Sequence, residues 1–158
     1  MEFPSIPDDD PVGEVTFDVV DVEMPILHEE VLSLWLSACA KTYNHSIASL
    51  GYILCSDAFL LQMNVERLNH NTLTDIITFD LRDTDAGAIE GECYISVERV
   101  AENAQSFGES TDRELRRVFV HGLLHLCGLG DTSIEEASAM RSAENSCLSL
   151  YDSFNQPE

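Results

Sequence analysis

The sequence predicts an α+β fold, a single domain with a small mixed four-stranded sheet surrounded by about five helices. Three observations predict it. Short β-branched or apolar runs alternate with longer stretches of helical periodicity in the first half of the chain, as strand–helix–strand units do. The third and fourth strand-like runs are separated only by an acidic loop, which suits an antiparallel pair. After them the chain reads as helix upon helix with no further strand.

The elements follow in order. Residues 1–13 hold three of the five prolines and the run Asp8-Asp9-Asp10, and are expected as an extended or frayed acidic arm. Val15–Val22 is rich in β-branched residues and reads as a strand. Pro25 stands at or just before a helix start, where a missing N–H is tolerated. Leu27, Val31, Leu34, Trp35 and Ala38 then recur at helical spacing to about Tyr43, with Trp35 as a packing anchor. Gly51–Cys55 is a short apolar run, read as a buried strand, and strand–helix–strand implies a right-handed parallel crossover. Ser56 or Asp57 caps a helix through about Arg67, with Phe59, Leu60, Met63 and Val65 apolar. Asn69–Thr72 is a polar turn, Asp75–Asp80 the third strand, and Asp83–Gly87 a loop into the fourth, from Gly91 to about Val97. Alternation puts Asp75, Ile77 and Phe79 on one face and Ile76, Thr78 and Asp80 on the other. A helix over 97–107 carries Val97, Val100, Ala101, Ala104 and Phe107 on one stripe and ends at Gly108. Thr111–Glu114 reads as a capping box opening the next helix, and Ser133–Glu136 opens the last, which packs Ile134, Ala137, Met140, Ala143 and Cys147 inward. Residues 14–151 thus form one domain and 152–158 a polar tail.

Composition narrows the function. With 158 residues and 44% hydrophobic content the chain builds one real core. No apolar run approaches the roughly 18 residues of a membrane span, and the acidic N-terminus lacks the pattern of a signal peptide. The expectation is a cytoplasmic protein with no membrane partner. Five cysteines without a C-x-x-C pair read as small buried residues in a reducing compartment. The net charge is −21, from 29 acidic and 8 basic residues, with Lys41 the single lysine. A nuclease is expected to show basic surface to phosphate, so this acidity argues against nucleic acid unless the working solvent is saline. At about 1 M salt the Debye length is near 3 Å, and a dense acidic surface is one lever of halophiles. Arg113, Arg116 and Arg117 read either as a local basic patch or as helix-surface pairs with Glu114 or Asp112.

Chemistry converges on His121-Gly-Leu-Leu-His125-Leu-Cys-Gly128-Leu-Gly-Asp131. Two histidines four apart share one helix face. Gly128 suits a helix end that needs positive φ. The turning chain then returns the Asp131 carboxylate to the same ion. Two imidazoles and a carboxylate with an open position are the arrangement of a catalytic divalent metal, zinc first. The bland alternative is a surface His121 and a satisfied core His125. Cys127 faces away. A zincin-type peptidase is disfavoured, because Gly122 stands where the general-base Glu belongs.

His121-Gly-Leu-Leu-His125-Leu-Cys-Gly128 resembles the H-G-x-L-H-L-x-G signature of the YbeY family, metal-dependent endoribonucleases of ribosomal RNA maturation. The segment Leu68–Phe79, with Thr74-Asp75-Ile76-Ile77-Thr78-Phe79, resembles the family's T-(D/N)-V-L-S-F block and its approach, and Gly91-Glu-Cys-Tyr-Ile-Ser96 its G-D-I-x-I strand. Two departures stand out. The family's usual third ligand, a His six residues after the second, is Asp131 here, and its functional Arg before the T-(D/N) block is Leu68. The resemblance implies a single-strand-specific endoribonuclease acting in 16S rRNA 3′-end processing and ribosome quality control. Its partners would be ribosomal RNA, the small ribosomal subunit and ribosome-associated proteins, with no nucleotide cofactor. The metal ligands would be His121, His125 and Asp131, and Asp75, Thr74 and His70 would line the cleft, although Thr74 and Asp75 equally suit a strand cap. The rivals are a non-catalytic, metal-stabilised ribosome-associated module and a small-substrate metallohydrolase.

Overall fold

β-Branched and aromatic residues cluster in four stretches, and each becomes a strand: β1 Glu14–Val19, β2 Ile47–Cys55, β3 Ile76–Asp80 and β4 Ile89–Ser96. The computed structural model describes residues 13–68, 74–84 and 86–154. Among them the helices are α1 Glu29–Thr42, α2 Asp57–Leu68, α3 Val97–Phe107, α4 Thr111–Leu126 and α5 Ile134–Phe154. The sheet order is β1-β2-β4-β3, with β1, β2 and β4 parallel and β3 antiparallel to β4. The mixed four-stranded sheet and its five helices match the α+β expectation. None of these helices is long and apolar enough to cross a membrane.

Several boundaries move for local reasons. β1 stops at Val19, short of Val22, because Asp21 turns the chain at φ 56° and its carboxylate accepts hydrogen bonds from the Ser56 N–H and hydroxyl. α1 begins at Glu29, four residues past Pro25. Its buried stripe is Leu32, Trp35, Leu36, Cys39 and Ala40, so Leu34 faces outward. That stripe is the i, i+3, i+4, i+7 series running through Trp35. β2 starts at Ile47, earlier than Gly51, since Ala48 and Ser49 dilute the apolar signal where the strand pairs with β1. Ser56 caps α2, accepting from the Phe59 N–H at 3.1 Å. β4 yields to α3 at Ser96, whose hydroxyl accepts from the Arg99 N–H. Ala101 and Phe107 of α3 face solvent, and only Val100 and Ala104 are buried there.

The cap of α4 is Ser110, not Thr111: its hydroxyl accepts from the Arg113 N–H at 3.1 Å. Glu114, expected as the capping-box acid, is turned inward and buried. The second expected box forms as read: the Glu136 N–H donates to the Ser133 hydroxyl and the Ser133 N–H to the Glu136 carboxylate. Ile134 and Ala137 nevertheless lie outside, leaving Met140, Ala143, Cys147 and Leu148 as the buried stripe. α5 runs on to Phe154, past the start of the expected tail.

Strand alternation divides the sheet between two packing faces. Ile77 and Phe79 join Cys55, Leu60 and Tyr94 under α2. The other face carries the main core, into which α1, α4 and α5 pack. Phe17 and Tyr52 stack at 5.5 Å, Phe119 of α4 meets both, and the Tyr52 hydroxyl donates to the Phe119 carbonyl at 2.7 Å. The Trp35 indole N–H donates to the Cys147 carbonyl, tying α1 to α5. One turn below Phe119, α4 closes on the sheet through Gly122. A Cβ there would meet Cys93 Sγ at 2.7 Å, Ile76 Cδ1 at 2.9 Å and Thr78 Oγ1 at 3.4 Å.

Gly122→Ala is therefore expected to force α4 away from the sheet and destabilise the fold by about 1–3 kcal/mol, read from the urea midpoint. Gly87→Ala, with open space around it, should stay within about 0.5 kcal/mol of the parent. Equal midpoints for the two variants would mean that the close approach is not needed.

Candidate metal centre

His121 and His125 stand one turn apart on α4, with ring centroids 4.6 Å apart. The helix ends immediately after them in a Schellman turn: Gly128 takes φ 102°, its N–H donates to the His125 carbonyl at 2.9 Å, and the Leu129 N–H donates to the Leu124 carbonyl at 3.0 Å. Arg82 seats the same end, donating to the Leu126 carbonyl at 2.8 Å. The turn sends the chain back across the histidines and delivers Asp131. Its Oδ2 lies 3.4 Å from His121 Nε2 and 3.3 Å from His125 Nε2, and the three donor atoms fall within 4.8 Å of one another.

Hydrogen bonds orient both rings. His125 Nδ1 lies 2.9 Å from the Leu129 carbonyl, which can only accept. Nδ1 therefore carries a hydrogen, and the ring turns its Nε2 toward Asp131. His121 Nδ1 donates in the same way to the Glu144 carboxylate at 2.7 Å. The donor set fits a divalent ion. Four ligands placed tetrahedrally at roughly 2.0–2.1 Å are separated by about 3.3–3.4 Å, the spacing found from Asp131 to each ring. Carboxylate and carbonyl behind the imidazoles are also the usual supports of metal-binding histidines.

Glu144 is buried on α5 and held by Arg117 at 3.2 Å and Arg141 at 3.4 Å, while Arg117 also donates to Asn145 at 2.9 Å. Burial works to raise the Glu144 pKa, but the hydrogen bonds from His121 and Arg117 outweigh it and hold the carboxyl below its usual value. Burial works against a charged His121, yet Glu144, Asp75 and Asp131 together hold its pKa above the usual value. A proton therefore competes with an ion at His121, and ion binding releases it.

Asp75 ends up beside this centre. Its carboxyl lines a cavity of about 220 Å³ with Asn103, Glu114, Arg117, His121 and Glu144. Burial raises its pKa, against the charge of His121. Thr74 is outside that cavity, and its hydroxyl donates to the Ile76 carbonyl at 3.4 Å, a strand-entry contact. His70 and the 69–72 turn lie outside the described residues. Thr78 and Asp80 flank His125 on its other side. Cys127 packs against the core, and burial pushes its thiol up to about 11. The three arginines ahead of His121 are engaged: Arg113 with Glu109 and Asp152, Arg116 over the Tyr151 ring, Arg117 with Glu114 and Glu144. They form no open basic patch. Sequence reasoning missed Glu144, although the signal was present: an acid inside the apolar series Met140, Ala143, Cys147.

Comparisons with known proteins give the chain a family. The family model described as Endoribonuclease YbeY matches residues 18–152. A protein of Cytophaga hutchinsonii named Endoribonuclease YbeY is 44% identical over 130 residues, 82% of this chain and 90% of that protein. One of the same name from Flavobacterium johnsoniae is 41% identical over 131 residues, 83% and 93% of the two chains. A solution structure of a Thermotoga maritima protein shares the fold at a TM-score of 0.62 and 22% identity, covering 88% of this chain and 89% of that one. On the family match and these relatives together, the chain belongs to the Endoribonuclease YbeY family.

Proposed function

We propose that the chain is a metal-dependent endoribonuclease that cuts single-stranded RNA, working in 16S rRNA 3′-end processing and ribosome quality control in the cytoplasm. Its partners are ribosomal RNA, the small ribosomal subunit and ribosome-associated proteins. One observation carries the reading: two oriented Nε2 atoms and the Asp131 carboxylate converge, in a chain whose relatives are named for endoribonuclease activity.

His121, His125 and Asp131 would hold one divalent ion, and this nitrogen- and oxygen-rich set favours zinc. A bound ion supplies Lewis acidity to a phosphodiester oxygen and acidifies a water nearby. The remaining work falls to the chain. Glu144 fixes the His121 tautomer and carries compensating charge behind the ring. The neutral Leu129 carbonyl fixes the tautomer of His125 without adding charge. Asp75, with its pKa raised by burial and its carboxyl in the cavity shared with His121, takes the proton from the attacking water and returns it to the departing oxygen. Thr74 orders the entry of β3 and so the height of Asp75. Asp131 in place of a third imidazole lowers the charge of the filled site by one, which weakens its pull on phosphate.

Elemental analysis in molar salt should find about one zinc per chain, sharply reduced by Asp131→Ala. Glu144→Gln keeps all three ligands and should lower zinc affinity about 10–100-fold. A zinc content indifferent to Asp131→Ala would remove that residue from the ligand set.

Single-stranded RNA ending in a 16S 3′ precursor sequence should be cut and its duplex form spared, with activity lost in chelator and in His125→Ala. RNA binding without cutting, unchanged by His125→Ala, would leave a binding module instead. Stability and cutting should both rise between about 0.1 and 1 M KCl as carboxylate repulsion is screened. An optimum at low salt would reject a saline setting.

A further inference from the structure

The cavity beside His121 has a second end that the reaction does not use. There Phe107, the last residue of α3, is 56% exposed although it is a large aromatic. The Arg141 guanidinium lies 5.6 Å from its ring centroid, and the Arg141 side chain is 49% exposed. Both line the 220 Å³ cavity that also contains His121, so aromatic ring, guanidinium and candidate metal ligand share one space. Arg141 is aimed by its bond to Glu144, the same carboxylate that orients His121.

The charge of this cavity decides what enters it. Asp75, Glu114 and Glu144 face it, against Arg117 and Arg141, and Arg117 is already paired with Glu114 and Glu144. A phosphate is repelled from such a wall, while the uncharged part of a nucleotide is not. Glu114 Oε1 is buried there without a hydrogen bond, 3.6 Å from Arg117 Nε, and the Asn103 amide makes only a long contact with Asp75 at 3.5 Å. The Asn103 amide is thus available to the edge of a planar, polar-edged group, while the Glu114 carboxylate stays buried against Arg117. The volume is below that of typical small-molecule pockets, which begin at about 300 Å³, and suits a single ring system. An exposed aromatic with a stacked arginine is what unpaired bases bind.

We propose that Phe107 and Arg141 form a nucleobase-stacking subsite, which takes the unpaired base next to the phosphate presented to His121, His125 and Asp131. This rests on the endoribonuclease reading for its placement of the phosphate. Phe107 holds the base by its face, Arg141 flanks it, and the Asn103 amide meets its edge. The subsite explains a requirement for single strands, because a paired base cannot leave its stack to enter.

The test is binding of a 2′-O-methyl RNA decamer, which resists hydrolysis, to the zinc-loaded full chain in about 1 M KCl. Phe107→Ala should weaken binding by about 5- to 150-fold, the range expected for loss of one base–aromatic stack. The slope of affinity against salt should not change, because no phosphate contact is lost. An abasic residue at one position of the decamer should weaken binding to the unmodified chain and cause no further loss in Phe107→Ala. Phe107→Trp should rescue affinity, with its indole emission quenched by the bound decamer. Equal affinities for the parent and Phe107→Ala, an abasic penalty that persists in the variant, or no binding by the parent would each overturn the subsite. Those results alongside intact RNA cleavage reject the subsite alone. Phe107-dependent, abasic-sensitive binding by a zinc-loaded chain that cuts no RNA rejects the nuclease reading and keeps the subsite.

Discussion

Everything at the centre depends on how closely α4 lies on the sheet, and that distance is set by a missing side chain. Gly122 sits over Cys93, Ile76 and Thr78 with no room for a Cβ. At the end of the same helix, Leu126 crosses Gly91 of β4, where a Cβ would meet Leu126 Cδ1 at 2.7 Å. Two glycines on opposite sides of one interface thus lower the helix onto β3 and β4. Phe119 fixes the register between them, because its carbonyl receives the Tyr52 hydroxyl. Once the helix is seated, His121 stands beside Asp75 and His125 beside Thr78 and Asp80 without further adjustment. The same spacing explains why the residue after His121 is not an acid. A Glu there would have to fit between helix and sheet.

The second constraint is a buried charge. Glu144 is almost removed from water and would be costly if left alone, since an uncompensated charge from a broken buried pair destabilises by about 3–5 kcal/mol. Arg117, Arg141 and His121 all surround it. The stability of α5 against α4 and the orientation of a candidate ligand are therefore one network. A change at Glu144 that turns the His121 ring also disturbs the pairing of the last two helices. That coupling also transmits to Arg141, whose place above Phe107 is fixed by the same carboxylate.

Short-range patterns made most of this readable. The His121/His125 spacing, Gly128 and Asp131 are local, and a helix followed by a Schellman turn needs no distant partner to bring them together. The Ser133–Glu136 box is equally local and forms as expected. What failed were choices between two local solutions. Ser110 and Thr111 are both competent caps, and the choice fell to Ser110 because burying Glu114 beside Arg117 took that acid from the box. On α1 two overlapping apolar series compete, and the one through Leu32, Trp35 and Cys39 prevails because the indole finds the Cys147 carbonyl 112 residues away. No window of sequence contains that bond. Asp75 and Glu144 were hard to assign for the same reason, since their meaning depends on a helix and a strand far apart in the chain.

The acidity of the chain turns these details into a consistent account of how RNA is handled. Of the few cations, Arg82, Arg99, Arg113 and Arg117 are each paired with acids, and Arg116 lies on Tyr151. At low ionic strength the net charge of −21 opposes any long-range attraction of phosphate. A substrate that binds such a surface must be held by interactions that act at contact distance. An ion held by His121, His125 and Asp131 would provide one, and stacking on the exposed Phe107 would provide another whose strength depends little on salt. A nuclease built this way gives up steering and gains a surface that salt does not disarm, because screening removes repulsion while leaving the contacts that hold the strand.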